Sequence, residues 1–184
     1  HPSFNDPENF GRKRMNLSSS EIRKLIIDQY GILQEIASKY GENVTHIKPH
    51  GALYHMVCEV EKYASLLVEF AQDGLSLMGQ PKSVLENVCR EHGVGFIAEG
   101  FADRVYEADG NLRKRSLAGS IHASFDSVMP QVINLCNHKV GVFSKGLIDL
   151  EVDSICFHGD HKSSGELIQK VVVELKKEGV EIRS

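Results

Sequence analysis

The stretch V-G-F-I-A-E-G-F-A-D-R, residues 94–104, decides the fold class. It follows Gly93, a residue type that commonly ends helices, and its apolar half, residues 94–98, is typical of a buried β-strand. The ionisable residues Glu99, Asp103 and Arg104 come directly after that half. A buried strand that runs into ionisable side chains is typical of α/β proteins, because their sites lie at the carboxyl ends of the strands.

Helix-like and strand-like segments alternate on both sides of this stretch. Apolar periodicity predicts helices over about 19–40, 59–72, 81–93, 124–137 and 164–178, and strands over 44–48, 75–78, 94–98, 140–152 and 154–157. A capping box at Ser18 and Glu21 marks the start of the first helix. Residues 103–122 are expected to be irregular, with a turn at Asp109-Gly110. This alternation predicts a mostly parallel sheet, open or closed into a barrel.

Length and composition limit the classes of protein to which this chain can belong. The 184 residues predict one domain, and the net charge of −4 argues against a nucleic-acid or membrane-surface binder. No apolar run is long enough to cross a membrane, and no secretory pattern opens the chain. The four cysteines are far apart and are predicted to be buried thiols, which favours a reducing compartment and a cytoplasmic protein.

Three predicted strands end in residues that can carry chemistry. Lys48 and His50 follow the first strand, Glu99, Asp103 and Arg104 follow a central one, and His158 and Asp160 follow the last. His50 is interpreted as a metal ligand, a general base or a substrate donor, while the carboxylate near His158 would fix its tautomer or share a metal. Five other histidines lack such context and are expected to be structural or exposed: His55, His92, His122, His138 and His161.

Several longer motifs make the sequence resemble a known family. They are K-P-H-G-A-L-Y (48–54), F-A-D-R (101–104) with Tyr106, D-G-x-L-x-x-R (109–115) and C-F-H-G-D (156–160). The opening H-P-S-F (1–4), Asp6 and F-G-R (10–12) match in the same order. On these motifs the chain resembles the LamB/YcsF family over essentially its whole length.

The resemblance implies a fold and an activity. The fold would be an irregular β/α barrel resembling the seven-stranded polysaccharide deacetylase-like barrel. The activity would be that of the A subunit of an ATP-dependent 5-oxoprolinase, which opens 5-oxo-L-proline to L-glutamate together with subunits B and C. ATP would be required, with a divalent metal ion as a further candidate.

Residues at the matching motifs are the candidate site. The candidate catalytic residues are His50, Asp103, His158 and Asp160. The candidates for binding substrate or phosphate are Lys48, Tyr54, Glu99, Arg104 and Arg115. The candidate metal ligands are His1 and His50.

Two strand motifs of the family, D-x-N-x-D-x-G-E and C-G-x-H-A-G-D, do not occur in this chain. We therefore expect a single domain, residues 1–184, that lacks the first strands of the barrel and is N-terminally incomplete. The exposed edge would favour a homo-oligomer. Two other functions stay open: a metal-dependent deacetylase or carbohydrate-active hydrolase on a related barrel, and a non-catalytic remnant.

Overall fold

The computed structural model describes residues 1–71, 74–144, 146–159 and 164–183. The chain forms two compact units, His1–Ala98 and Glu99–Ser184. The helices are α1 Ser19–Lys39, α2 Gly51–Glu59, α3 Glu61–Phe70, α4 Val84–His92, α5 Phe125–Cys136 and α6 Ser164–Lys177. The strands are β1 His46–Ile47, β2 Ser76–Gly79, β3 Phe96–Phe101, β4 Lys139–Gly141, β5 Leu147–Asp149 and β6 Ser154–Cys156. Within these residues, no helix has the length and apolar character of a membrane span.

The first unit is built on parallel strands connected by helices. β1 pairs with β2 through Ile47 and Leu77, and β2 pairs with the first half of β3 through Leu77 and Phe96. α3 packs against α2 and α4, and α4 contacts β2. This arrangement confirms the predicted α/β class with parallel pairing.

Helix α1 begins where the sequence predicts. The Ser18 hydroxyl accepts the Glu21 backbone N–H, and a Glu21 carboxylate oxygen accepts the Ser18 N–H at 2.8 Å. Ile22 and Ile26 are buried, whereas Ile32 is 63% and Ile36 47% exposed. The helix therefore buries apolar side chains in its first half and exposes them in its second half.

Helix α2 is a correction to the sequence prediction, which assigned no helix to residues 51–58. The helix begins at Gly51, directly after its N-cap residue His50. Its residues Ala52, Leu53, Tyr54, Met56, Val57 and Cys58 are all buried. A helix buried on nearly all sides lacks the apolar periodicity from which a surface helix is recognised, which explains the error.

Strand β3 is longer than predicted and ends at Phe101 rather than at residue 98. Glu99 consequently lies inside the strand instead of after it. In the second unit, the second half of β3 pairs in parallel with β6, with Glu99 opposite Ser154 and Phe101 opposite Cys156. The predicted strand 140–152 is in fact the antiparallel pair β4 and β5, and Gly146, with φ +123°, lies between them.

Helices α5 and α6 form the core of the second unit. The buried cluster contains Ala102 from the segment after β3, and Val128, Val132, Val171 and Leu175 from the two helices. Residues 102–124 are irregular, as predicted, and are held by isolated bridges such as the antiparallel bridge between Arg104 and Ile121. Gly110 occupies the predicted turn with φ +83°.

All four cysteines are free thiols. Cys58 and Cys89 are buried as predicted, and burial, with the charge of Glu86, raises the pKa of Cys89 to about 11. Cys136 and Cys156 are only half-buried, so the prediction of burial was wrong for these two.

Candidate active site

Asp103 and His158 come together at the carboxyl ends of two neighbouring strands. Phe101 lies opposite Cys156 in the parallel pairing of β3 and β6, and each candidate lies two residues beyond its member of that pair. Because parallel strands advance in step, equal spacing carries both side chains to the same edge.

The Asp103 carboxylate is held by three contacts with His158. Its Oδ1 and Oδ2 lie 2.8 and 3.1 Å from Nδ1 of the His158 ring, and Oδ2 accepts the His158 backbone N–H at 2.9 Å. Burial raises the pKa of Asp103, but the hydrogen bonds and charge of His158 together lower the pKa more, so the net shift is below its ordinary value. Asp103 is therefore an ionised carboxylate at neutral pH.

The His158 ring is fixed but reachable from solvent. Its side chain is 24% exposed, against 8% for Asp103. Phe101 stacks on the imidazole, with the ring centroids 5.5 Å apart, and the Ser164 hydroxyl donates to the His158 carbonyl at 2.9 Å. Nδ1 faces Asp103, which leaves Nε2 as the ring nitrogen that can exchange a proton with a ligand.

Arg104 and Glu99 are buried in the second unit. The Arg104 guanidinium donates to the carbonyls of Ser120 and Arg113 at 3.4 and 2.6 Å, which ties down the irregular segment. Glu99 is 1% exposed, and its charge contributes, after burial, to raising the pKa of Tyr106. The Tyr106 hydroxyl accepts the Phe101 N–H at 2.8 Å, so this group of buried polar side chains supports the end of β3.

Arg113 and Arg115, two arginines of the irregular segment, have different surroundings. Arg113 forms an ion pair with Glu107 and places its guanidinium 3.5 Å from the centre of the Phe143 ring. It is therefore a structural residue of the irregular segment. Arg115 is half-buried, and its carbonyl accepts the Ser120 hydroxyl.

His50 holds the start of the chain in the first unit. Its Nε2 is 2.9 Å from the Phe10 carbonyl, and its backbone N–H donates to Pro2. The rings of His1 and Phe10 contact the imidazole edge-on, with centroids 5.5 and 5.0 Å away. His1 and His50, the two candidate metal ligands, are thus neighbours.

Lys48 and Tyr54 flank His50 in the sequence. Lys48 is half-buried. Tyr54 is 4% exposed inside α2 and contacts the His55 ring edge-on. Burial limits the access of a ligand to Tyr54, whereas Lys48 is partly accessible.

Asp160 and the metal ligands are the remaining features of the predicted site. Asp160 lies outside the described residues. Within the described parts of the chain, no group of three or more His, Cys, Asp or Glu side chains is arranged to hold a metal ion. The His1 and His50 rings are neighbours, and their assignment as metal ligands stays a prediction. Their common position after strands predicts that His50, Asp103, Arg104 and His158 line one cleft, and this stays a prediction.

His122 and Gln131 are neighbours of Asp103 that no sequence pattern selected. The His122 N–H donates to the Asp103 carbonyl at 3.0 Å, and the buried Gln131 amide donates to the carbonyls of Phe101 and Arg104, both at 2.6 Å. His122 is 19 positions from Asp103 in an irregular segment, so no local pattern reports their proximity. The one sequence signal that pointed to this part of the site was Asp103 itself, an acidic residue that follows a strand.

Comparison with known proteins shows similarity over the whole chain. The LamB/YcsF family profile matches residues 1–184. The chain is 34% identical over 188 residues to the 5-oxoprolinase A subunit of Histophilus somni (strain 129Pt), covering 100% of this chain and 76% of that protein. It is 35% identical over 186 residues to the 5-oxoprolinase A subunit of Haemophilus influenzae (strain PittEE), covering 99% of this chain and 76% of that protein.

A solved structure has the same fold. The crystal structure of a lactam utilization protein from Thermus thermophilus matches with a TM-score of 0.91 and 31% identity, over 100% of this chain and 74% of that one. The match agrees with the irregular β/α barrel that the resemblance implied.

Proposed function

This chain belongs to the LamB/YcsF family, and from that premise we propose that it is the A subunit of an ATP-dependent 5-oxoprolinase. The reaction is the hydrolysis of the lactam 5-oxo-L-proline to L-glutamate, performed with subunits B and C. Relatives named as the A subunit of 5-oxoprolinase and as a lactam utilization protein support a hydrolase that acts on lactams. Four free thiols fit a reducing cytoplasm as its location.

The Asp103–His158 pair is the observation that carries the proposal. Hydrolysis of a lactam requires a base to take a proton from water and an acid to give a proton to the leaving ring nitrogen. His158 performs both steps through Nε2, while ionised Asp103 holds the ring at Nδ1 and stabilises the imidazolium that forms between them.

ATP would supply a phosphoryl group that makes the poorly reactive lactam carbonyl a better electrophile. The described residues that offer positive charge to a phosphate or a substrate carboxylate are Lys48 and Arg115, both half-buried. Arg104 is 5% exposed and bonded to backbone carbonyls, so we assign it to supporting the site.

The test uses the chain assembled with its partner subunits. We expect His158→Ala to lower pyroglutamate-dependent ATP hydrolysis and glutamate formation at least about 100-fold, the effect of losing a positioned acid–base group. The matched control is His92→Gln, because His92 is an exposed histidine in the last turn of α4.

Far-UV circular dichroism would verify that both variants are folded. Turnover by folded His158→Ala equal to that of the control would refute the role of His158. Absence of any lactam-dependent turnover in the assembled wild-type enzyme would refute the function itself.

A further inference from the structure

The pairing of the irregular segment places His122 directly opposite Asp103. Arg104 and Ile121 form an antiparallel bridge, flanked by hydrogen bonds from Val105 N–H to Ser120 O and from His122 N–H to Asp103 O, at 3.1 and 3.0 Å. One step beyond the bridge, Asp103 and His122 are the opposed pair. Opposed residues of an antiparallel ladder project their side chains from the same face, so the His122 imidazole lies beside the Asp103 carboxylate.

Gln131 fixes the His122 ring. Its Nε2 donates to three carbonyls, those of Phe101, Ala102 and Arg104. An amide nitrogen has two hydrogens, so those contacts use both of them. The side-chain hydrogen bond between Gln131 and His122 raises the pKa of His122, as expected when Oε1 accepts a ring N–H. One buried amide therefore holds both the turn that carries Asp103 and the imidazole opposite it.

The charge state of His122 is linked to Asp103. Burial lowers the pKa of His122, whereas the Gln131 hydrogen bond and the charge of Asp103 raise it by less. Among the described residues, Asp103 from the turn after β3 is the charged group that acts on His122, and Gln131 from α5 is neutral. His158, after β6, acts on the same carboxylate from its other side. His122 is therefore neutral at pH 7.

We propose that His122 is a positioning residue for lactam hydrolysis, acting on His158 only through the carboxylate that the two imidazoles share. This inference rests on the proposed function. His158 takes a proton from water as the water oxygen bonds to the carbon of the phosphorylated lactam carbonyl. That proton then passes to the lactam nitrogen as the C–N bond breaks, and a second water cleaves the acyl phosphate that remains into the carboxylate of L-glutamate and phosphate.

In that sequence His158 is transiently an imidazolium and depends on the negative charge of Asp103. When His122 is neutral, the negative charge of Asp103 stabilises only the His158 imidazolium. When His122 is protonated, its positive charge also interacts with the Asp103 carboxylate and repels the His158 imidazolium. The reaction therefore slows when His122 binds a proton. The chain would thus carry a second ionisation that limits activity at acid pH.

The activity test is a pH profile of kcat/KM for the assembled enzyme and its His122→Gln variant. At pH 7.5 we expect His122→Gln to lose less than about tenfold in activity, because the base is intact. Below about pH 6, log kcat/KM should fall with a slope of about 2 in the wild type and about 1 in the variant. A purely structural role would lower activity by the same factor at every pH.

His122→Asn provides a second variant if the Gln side chain disturbs folding, because its amide is also non-ionisable and its side chain is shorter. A slope unchanged from wild type in a folded variant would overturn the proposal.

A second measurement does not depend on turnover. The pKa of His122, followed by NMR of its ring, should fall when Asp103→Asn removes the carboxylate charge that raises it, and should stay constant in His92→Gln. No change on Asp103→Asn would overturn the coupling. Failure of the proposed function shows separately, as the absence of lactam-dependent turnover in the assembled wild-type enzyme.

Discussion

Asp103 carries a buried negative charge whose contribution to stability depends on pH. Its pKa is lower in the folded chain than the value of about 3.9 expected when unfolded. The contribution is therefore present above that value and is lost as the pH falls through the folded pKa. We expect Asp103→Asn to lower the free energy of unfolding by about 1–3 kcal/mol at pH 7, the range for hydrogen bonds to a charged group.

Urea denaturation at a series of pH values from 7 to 2 tests this prediction. The difference between wild type and Asp103→Asn should shrink as the carboxyl becomes protonated in both states. Asp28→Asn is the control, because Asp28 pairs with Lys24 on an exposed helix face and should change stability little. A difference that is constant over the whole pH range would contradict the linkage.

His50 has either a chemical or a structural role, and two variants separate them. In the assembled enzyme we expect His50→Ala to lower turnover at least about 100-fold, as for loss of an acid–base group. His50→Gln keeps a side-chain N–H that can donate to the Phe10 carbonyl but cannot transfer protons near pH 7. We expect it to be equally inactive. Recovery of turnover in His50→Gln would assign His50 to holding residues 1–12.

Single residues also show which contacts cannot be predicted from the sequence. Asp103 and His158 were found because each follows an apolar strand. Their contact depends on the register in which β3 pairs with β6. That register cannot be predicted from the sequence of either strand alone. His122 was set aside because its partner is distant along the chain and is brought close by one isolated bridge.

At the scale of elements, the beginning of α2 depends on Gly51. Gly51 has φ +61°, and a Cβ at this position would lie 2.4 Å from the Gly11 carbonyl oxygen. Because that atom belongs to the backbone, relief requires the chain near residue 11 to move. We expect Gly51→Ala to lower the free energy of unfolding by more than about 2 kcal/mol, from backbone strain and overlap together.

The matched control is Gly31→Ala in α1. A Cβ at Gly31 has no atom within 4 Å, and the residue is helical. Alanine should stabilise this helix by up to about 1 kcal/mol. Denaturant titration of both variants measures the difference. Equal effects at the two glycines would show that the close approach at Gly11 does not constrain α2.

The elements that were predicted correctly share a strong local signal. The capping box fixes the start of α1, and Gly93, with φ +69°, ends α4 where the sequence indicates. α2 has neither a side-chain cap nor a polar face. Its helical state is decided by burial, which is a property of its surroundings rather than of its own residues.

At the scale of the whole molecule, exposed apolar side chains of α1 favour self-association. Ile32, Ile36 and Tyr40 follow one another at intervals of four residues and are 63%, 47% and 81% exposed. Exposed apolar patches of this kind are typical of interaction surfaces. We expect light scattering to give an average mass above that of one chain, and Ile32→Glu with Ile36→Glu to lower it.

Val173→Glu is the control for that experiment, because Val173 is 54% exposed on α6 and lies outside this group. A single-chain mass for the unsubstituted protein at all concentrations would contradict the prediction.

The common spacing of Asp103 and His158 beyond the Phe101–Cys156 pair restricts how the gene can change over evolution. Losing or gaining one codon within residues 97–103 would turn alternate side chains to the other face of β3 and separate the carboxylate from the imidazole. Substitutions are therefore the tolerated form of variation in this segment. Residues 116–119, exposed at the far end of the irregular segment, are free of that restriction. Doubling the length of such a loop costs only about 0.6 kcal/mol, so length differences between homologous genes should accumulate there.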